Sequence, residues 1–152
     1  MSWTFLAEGS PHWLHVWRGP TEALAQDLRT FQARPGCLAG LRWLRGSRMR
    51  TKPGLLEEWA AAAQFQPTFG GNWDAFRDAL SDHDGPGFVV FDAAQMLQDA
   101  PLDEFCTFYA ILAEVAGSAF PRPFHLVLQA DAGAHEALIQ DLRALGLRFD
   151  VR

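Results

Sequence analysis

Asp74, Asp78, Ser81 and Asp82 recur at the spacing of a helical turn. On a wheel of ~100° per residue they fall within one quadrant, while Trp73, Phe76 and Leu80 gather on another side. Such a helix has an acidic face and an apolar face. Paired carboxylates can act as general acid and base, as in glycoside hydrolysis, but burial must then drive one of them to a raised pKa. Carboxylates on the polar face of an amphipathic helix stay in water, so no catalysis is expected of Asp74 and Asp78. The spacing offers an anionic surface instead. Like charges four residues apart repel by roughly 0.2 to 0.5 kcal/mol, and Arg77, three residues after Asp74, offsets only part of that. Asp74 gains from the positive end of the helix dipole, whereas Asp78 and Asp82 do not. A cluster disfavoured in the free chain points to a positive surface elsewhere that compensates it.

The other chemistry-bearing residues read as structural. Asp82-His83-Asp84 could be taken for metal ligands, but consecutive side chains rarely converge on one ion, and the triplet reads as a polar turn. His12, His15, His125 and His135 lie singly on strands or helix starts and read as satisfied or solvated. Cys37 and Cys106 each sit in an apolar segment with no paired-ligand spacing, so they read as buried thiols of a reducing cytoplasm. No metal and no cofactor is expected. Arg34 to Lys52 carries six positive residues and no carboxylate, and Asp74 to Glu104 carries eight carboxylates against Arg77 alone. Charged runs are usually solvated faces, and the basic one lacks the interleaved aromatics of a nucleic-acid reader.

The elements that must position these residues follow from periodicity and punctuation. Trp13 to Trp17 reads as a strand, followed by a helix opened by Pro20 and Thr21 with apolar positions Ala23, Leu24, Leu28 and Phe31. Leu38 to Leu44 reads as a strand. Thr51 is a candidate N-cap for a helix with Pro53 in its first turn and Leu55, Leu56, Trp59, Ala60 and Ala63 on one face. Asn72 is a second N-cap, for the acidic helix to about Ser81. Phe88 to Phe91 is apolar throughout, as suits the middle of a sheet. A helical turn near Ala93 to Leu97, a long helix from Pro101 to about Gly117, a strand Phe124 to Leu128, a helix Ala134 to Leu145 and a strand Leu147 to Val151 complete the chain. Strands separated by helices predict an α/β layered domain, a mainly parallel central sheet flanked by helices. Leu14-His15-Val16 with the helix after it is echoed by His125-Leu126-Val127 with its own helix, a similarity that generic amphipathic helices also produce.

At 152 residues, 49% hydrophobic and 20% charged, the chain is long and apolar enough for one domain, 1–152, with a sizeable core, and composition excludes a disordered tail. No apolar run approaches the ~20 residues of a bilayer span, and no targeting segment opens the chain. A cytoplasmic protein without a membrane partner is expected. A formal charge of -5 argues against general nucleic-acid binding and for a basic protein partner.

The run Phe65-Gln66-Pro67-Thr68-Phe69-Gly70-Gly71-Asn72-Trp73-Asp74-Ala75-Phe76-Arg77-Asp78-Ala79-Leu80 resembles the hallmark segment of the barstar family, in which a loop and glycine lead into Asn and a helix with two aspartates four apart. Gly46, Arg50-Thr51-Lys52 and the strand Phe88 to Phe91 also resemble family members, so the likeness covers roughly Leu38 to Gln129. It implies a barstar-like core with an N-terminal strand-helix and a C-terminal helix-strand extension. It also implies an immunity protein, monomeric when free, that blocks a secreted ribonuclease or toxin with an acidic helix standing in for RNA phosphates. Carried over by position, the inhibitor aspartates fall on Asp74 and Asp78, and the hydroxyl residue on Ser81. Asp82 extends the same face. Where well-known members place aromatic contact residues, this chain has Thr68 and Arg77, and Glu114 alone lies where a later helix supplies further acids. Those departures leave open a barstar-fold binding module whose partner is not a nuclease. The extensions could cover sheet edges or enlarge the contact surface.

Overall fold

The structure is a computed structural model that describes residues 3–7, 12–34 and 40–152. In chain order the elements are β1 (Leu14–Arg18), α1 (Thr21–Gln32), β2 (Arg42–Arg45), α2 (Lys52–Ala63), α3 (Trp73–Ser81), β3 (Gly87–Phe91), α4 (Leu102–Ala119), β4 (His125–Ala130), α5 (His135–Ala144) and β5 (Asp150–Val151). Both expected N-caps form: the Thr51 hydroxyl accepts from the Gly54 N–H and the Asn72 side chain from the Ala75 N–H, at 3.4 and 2.8 Å. Short 3-10 turns occur at Thr4–Ala7, Gly46–Arg48 and Ala93–Gln95. Nothing in the periodicity announced the first of them. The C-terminal strand, expected over Leu147 to Val151, shortens to its last two residues, because only His15 and Val16 of β1 reach far enough to pair with it. Leu38, Ala39 and Cys37 lie outside the described residues. Cys106, expected to be buried, is half-buried on α4 beside an open groove.

All five strands are parallel, in the order β2-β3-β4-β1-β5. Every crossover except the first steps from β2 toward β5. The connection from β1 to β2 runs the other way, and crossovers of one handedness then require its helix on the opposite face. That is what occurs. Leu24 and Leu28 of α1 pack with Trp3, Leu6, Val89, Phe91 and Val127 on one face, while α2, α3, α4 and α5 cover the other, around Leu44, Phe88, Val90, Leu126 and Leu128. The alternation within β3 is why a strand buried on both sides is apolar throughout. The echoed strands β1 and β4 are neighbours in the sheet, with Leu14 opposite Leu126, but their helices lie on opposite faces.

Segment 42–130 thus supplies β2, β3 and β4 with α2, α3 and α4. The N-terminal extension pairs β1 along the outer edge of β4 and lays α1 over the second sheet face, and the C-terminal extension adds α5 and β5. Both act on the sheet, covering an edge and a face that would otherwise be open. Gln129, fully buried at the end of β4, binds the pieces together: its carbonyl accepts from the Asp92 N–H at 2.8 Å, and its amide donates to the Gly19 carbonyl at 2.7 Å.

His15 and His125, expected to lie singly, instead form a buried pair. His15 Nε2 and His125 Nδ1 are 3.0 Å apart, beneath the ring of Phe5, whose centroid lies 4.4 Å from that of His15. The two registers juxtapose them: His125 follows Trp13 in the β1–β4 ladder, and the two rings share the α1 face of the sheet. Arg152 Nε donates to His15 Nδ1 at 3.2 Å, so Nδ1 accepts and Nε2 carries the proton donated to His125. Burial, then the charges of His125, Arg152 and His12, lower the pKa of His15 from 6.5 to about 3, against the Asp150 carboxylate 3.7 Å away. Below pH 6.5 the unfolded chain takes up a proton that the folded one refuses until about pH 3. Stability should therefore fall with pH through that window by up to roughly 1.4 kcal/mol per unit. Urea unfolding between pH 7 and 4 measures it; a His15→Leu variant with the same slope as the parent would remove His15 as its source.

Gly87 opens β3 at φ +156°, and a Cβ there would fall on the carbonyl oxygen of His125 in the neighbouring strand. Gly87→Ala should destabilise by roughly 2 to 3 kcal/mol, measured by thermal or denaturant unfolding, since neither the dihedral nor the interstrand distance can yield without breaking the ladder.

Candidate functional site

α3 is the short helix that carries the acidic residues, and its two faces divide as the wheel predicts. Phe76 and Leu80 are fully buried. Trp73, expected on the apolar side, is half-buried there and doubly held: its Nε1–H donates to Glu104 Oε2 of α4 at 2.6 Å, and Lys52 Nζ of α2 sits over its ring at 5.2 Å. Lys52 and Glu104 are 21 and 31 positions away in the chain, and no local signal couples them to Trp73. Together they set the angle at which α3 leaves the body of the molecule.

On the outer face Asp74, Asp78, Ser81 and Asp82 are all exposed. They differ in what they touch. Arg77 Nη1 donates to Asp74 Oδ1 at 3.1 Å, and Arg77 Nε to Glu114 Oε2 of α4 at 3.0 Å. The structure thus joins Glu114 to the acidic face through Arg77, bringing together Asp74, Arg77 and Glu114. Asp78 and Asp82 carry no ion pair among the described residues. The Ser81 hydroxyl donates back to the Arg77 carbonyl at 2.8 Å, which leaves its oxygen available as an acceptor. Thr68 is exposed in the loop before α3, and no hydrogen bond or ion pair ties it to the acidic face among the described residues.

The charge asymmetry of the sequence is partly internal. Arg45 of β2 clamps Glu58 of α2 through two side-chain hydrogen bonds of 3.0 and 2.9 Å, which hold the Glu58 carboxyl below its ordinary range. Arg50 clamps Asp99 in the same two-pronged manner at 2.7 and 3.1 Å, with the same effect on that carboxyl. Two basic residues and one member of the acidic run are therefore engaged within the fold. Asp78 and Asp82, left without such partners, are the carboxylates most available to a second molecule.

The Asp82-His83-Asp84 triplet forms a turn, and no group of three His, Cys, Asp or Glu side chains is placed to hold a metal ion among the described residues. His83 is half-buried, its ring 4.8 Å from that of Phe88. No helix among the described residues is long and apolar enough to cross a membrane.

Two comparisons with known proteins bear on this geometry. No curated protein matches the chain. A family model described as Barstar (barnase inhibitor) matches residues 39–129, which span β2 to β4 and contain α3 whole. With that match over more than half its length, and with the capped acidic helix set on a parallel α/β core, the chain belongs to the barstar family.

Proposed function

We propose that this protein is an inhibitor, an immunity protein for a ribonuclease-type toxin, that binds a basic cleft of its target through the outer face of α3. The observation that carries the reading is the state of that face: Asp78 and Asp82 are exposed and unpaired one turn apart, about 5.4 Å along the axis, on a helix anchored by buried Phe76 and Leu80. Arginines and lysines that hold RNA phosphates in a nuclease cleft would meet these carboxylates at matching spacing. Asp74, Arg77, Ser81, Glu114 and Thr68 complete the contact surface. The protein itself catalyses nothing in this reading, needs no cofactor, is monomeric when free, and works in the cytoplasm, where a cell making a secreted basic toxin needs protection.

The direct test is inhibition of RNA cleavage by small basic ribonucleases, barnase among them, together with capture of the target from the source cell. Stoichiometric inhibition that Asp74→Ala, Asp78→Ala relieves supports the reading; turnover of RNA or glycosides by the pure protein, or a captured partner with no nuclease activity, overturns it.

One observation favours the second reading, a barstar-fold module with a non-nuclease partner. Arg77 already fills the space between Asp74 and Glu114 that a target cation would occupy, so part of the acidic face is neutralised from within. Arg77→Ala should therefore tighten binding to barnase, read by titration calorimetry. Unchanged or weaker binding would mean that Arg77 contributes to the contact itself and that the natural partner presents an acceptor to it.

A further inference from the structure

A cavity of about 600 Å³ opens where β2 begins, between the C-terminal ends of α2 and α3. It is within the range of small-molecule sites. Two of its lining groups are unusual. Arg42, the first residue of β2, is half-buried with its Nε fully enclosed and no hydrogen-bond partner among the described residues, and the same holds for His83 Nε2. A guanidinium cannot lose its charge to escape burial, so an enclosed Nε–H without an acceptor carries its desolvation cost uncompensated. The pair is seated by design of the backbone: a Cβ at Gly85 would collide with His83 Nε2, so glycine there makes room for the imidazole, and Arg122 Nη1 holds the turn by donating to the His83 carbonyl at 2.8 Å.

We propose that this cavity binds a small oxyanion, a phosphate or carboxylate group held between Arg42 and His83. Each of the two side chains then gains the acceptor it lacks. Gln64 and Gln66, which also line the space, can donate further amide hydrogens, and Phe65 offers an apolar wall for the molecule that carries the oxyanion, since the volume exceeds a bare ion. The charged surroundings limit what fits. Burial and the Arg42 and Arg122 charges lower the His83 pKa while Asp84 opposes them, and Asp82 and Asp84 line the same cavity, exposed. Those two carboxylates oppose a polyphosphate or a nucleic-acid strand and leave a compact, singly or doubly charged group as the fit. The inference does not rest on the inhibitory reading, because only Asp82 belongs to both surfaces and it is not altered in the test.

Titration of the labelled protein with inorganic phosphate, and separately with acetate, at constant ionic strength made up with chloride, tests this. The Arg42 Nε–H and His83 ring resonances are observed by NMR. The expected result is a saturable shift of Arg42 Nε–H and a rise in the His83 titration midpoint with at least one of the two probes, and the probe that binds tells which head group is preferred. Arg42→Met should weaken that binding by roughly tenfold or more, the scale of a lost charge-assisted hydrogen bond. His83→Gln, which also serves if Arg42→Met fails to fold, should remove the pH dependence of the affinity. Shifts that never saturate, that chloride reproduces, or that survive in the variant would overturn the proposal.

Discussion

Asp78→Ala should weaken the complex with the cognate target by roughly 2 to 5 kcal/mol, mainly through faster dissociation, on the scale set by close charge pairs in the family's own barnase–barstar complex. The loss arises because cations buried in the partner's cleft would be left without counter-charges. Asp78 should matter more than Asp74 for two separate reasons. It lies further from the helix start and so receives less compensation from the dipole, and Asp74 is already paired with Arg77 at 3.1 Å while Asp78 has no ion pair among the described residues. Added salt should slow association, since long-range attraction between opposite charges is screened over about 10 Å at 0.1 M. Folding should be unharmed, and removal of like-charge repulsion along α3 could raise the stability of the free protein slightly. Stopped-flow association and dissociation with the captured target provide the rates. If the Asp74→Ala, Asp78→Ala double substitution binds with unchanged affinity, the acidic face is only solvated helix.

Phe76→Ala should destabilise the protein by roughly 3 to 5 kcal/mol, from lost transfer energy together with the cavity left behind. Phe76 is fully buried, and its ring sits 5.4 Å from Trp59, 5.8 Å from Trp73, 6.1 Å from Phe108 and 6.3 Å from Phe65, centroid to centroid. Four rings from α2, α3, α4 and the loop before α3 meet on this one side chain, so the site cannot collapse without moving the helix that bears Asp78. Denaturant unfolding checks the figure, and a loss below about 1 kcal/mol would mean that the faces of α3 are wrongly assigned. Phe76→Leu, which keeps most of the volume, should cost far less. Binding measured on Phe76→Ala under conditions where it is folded should also fall, although position 76 does not reach the outer face, because α3 loses its fixed angle.

The amino-acid sequence by itself determined α3 almost entirely. Asn72 caps it, Phe76 and Leu80 bury, and Asp74, Asp78 and Asp82 face water, since capping and helical periodicity act over a few residues. The parallel α/β class, the apolar middle strand Gly87–Phe91 and the barstar segment were legible for the same reason. Other features needed the tertiary structure. That α1 covers a face of its own depends on the direction in which the chain crosses the sheet, which no local pattern encodes. The histidines at 15 and 125 looked solitary, yet parallel registry brings them to 3.0 Å across 110 positions. Arg77 looked like a neighbour of Asp74 alone, and only the packing of α3 on α4 gave it Glu114 as well. Arg42 and His83 looked like parts of a basic run and a polar turn, and folding enclosed both in one cavity. Local propensity is written in neighbouring residues, whereas these pairings join side chains that only the closed sheet and its helices bring within reach.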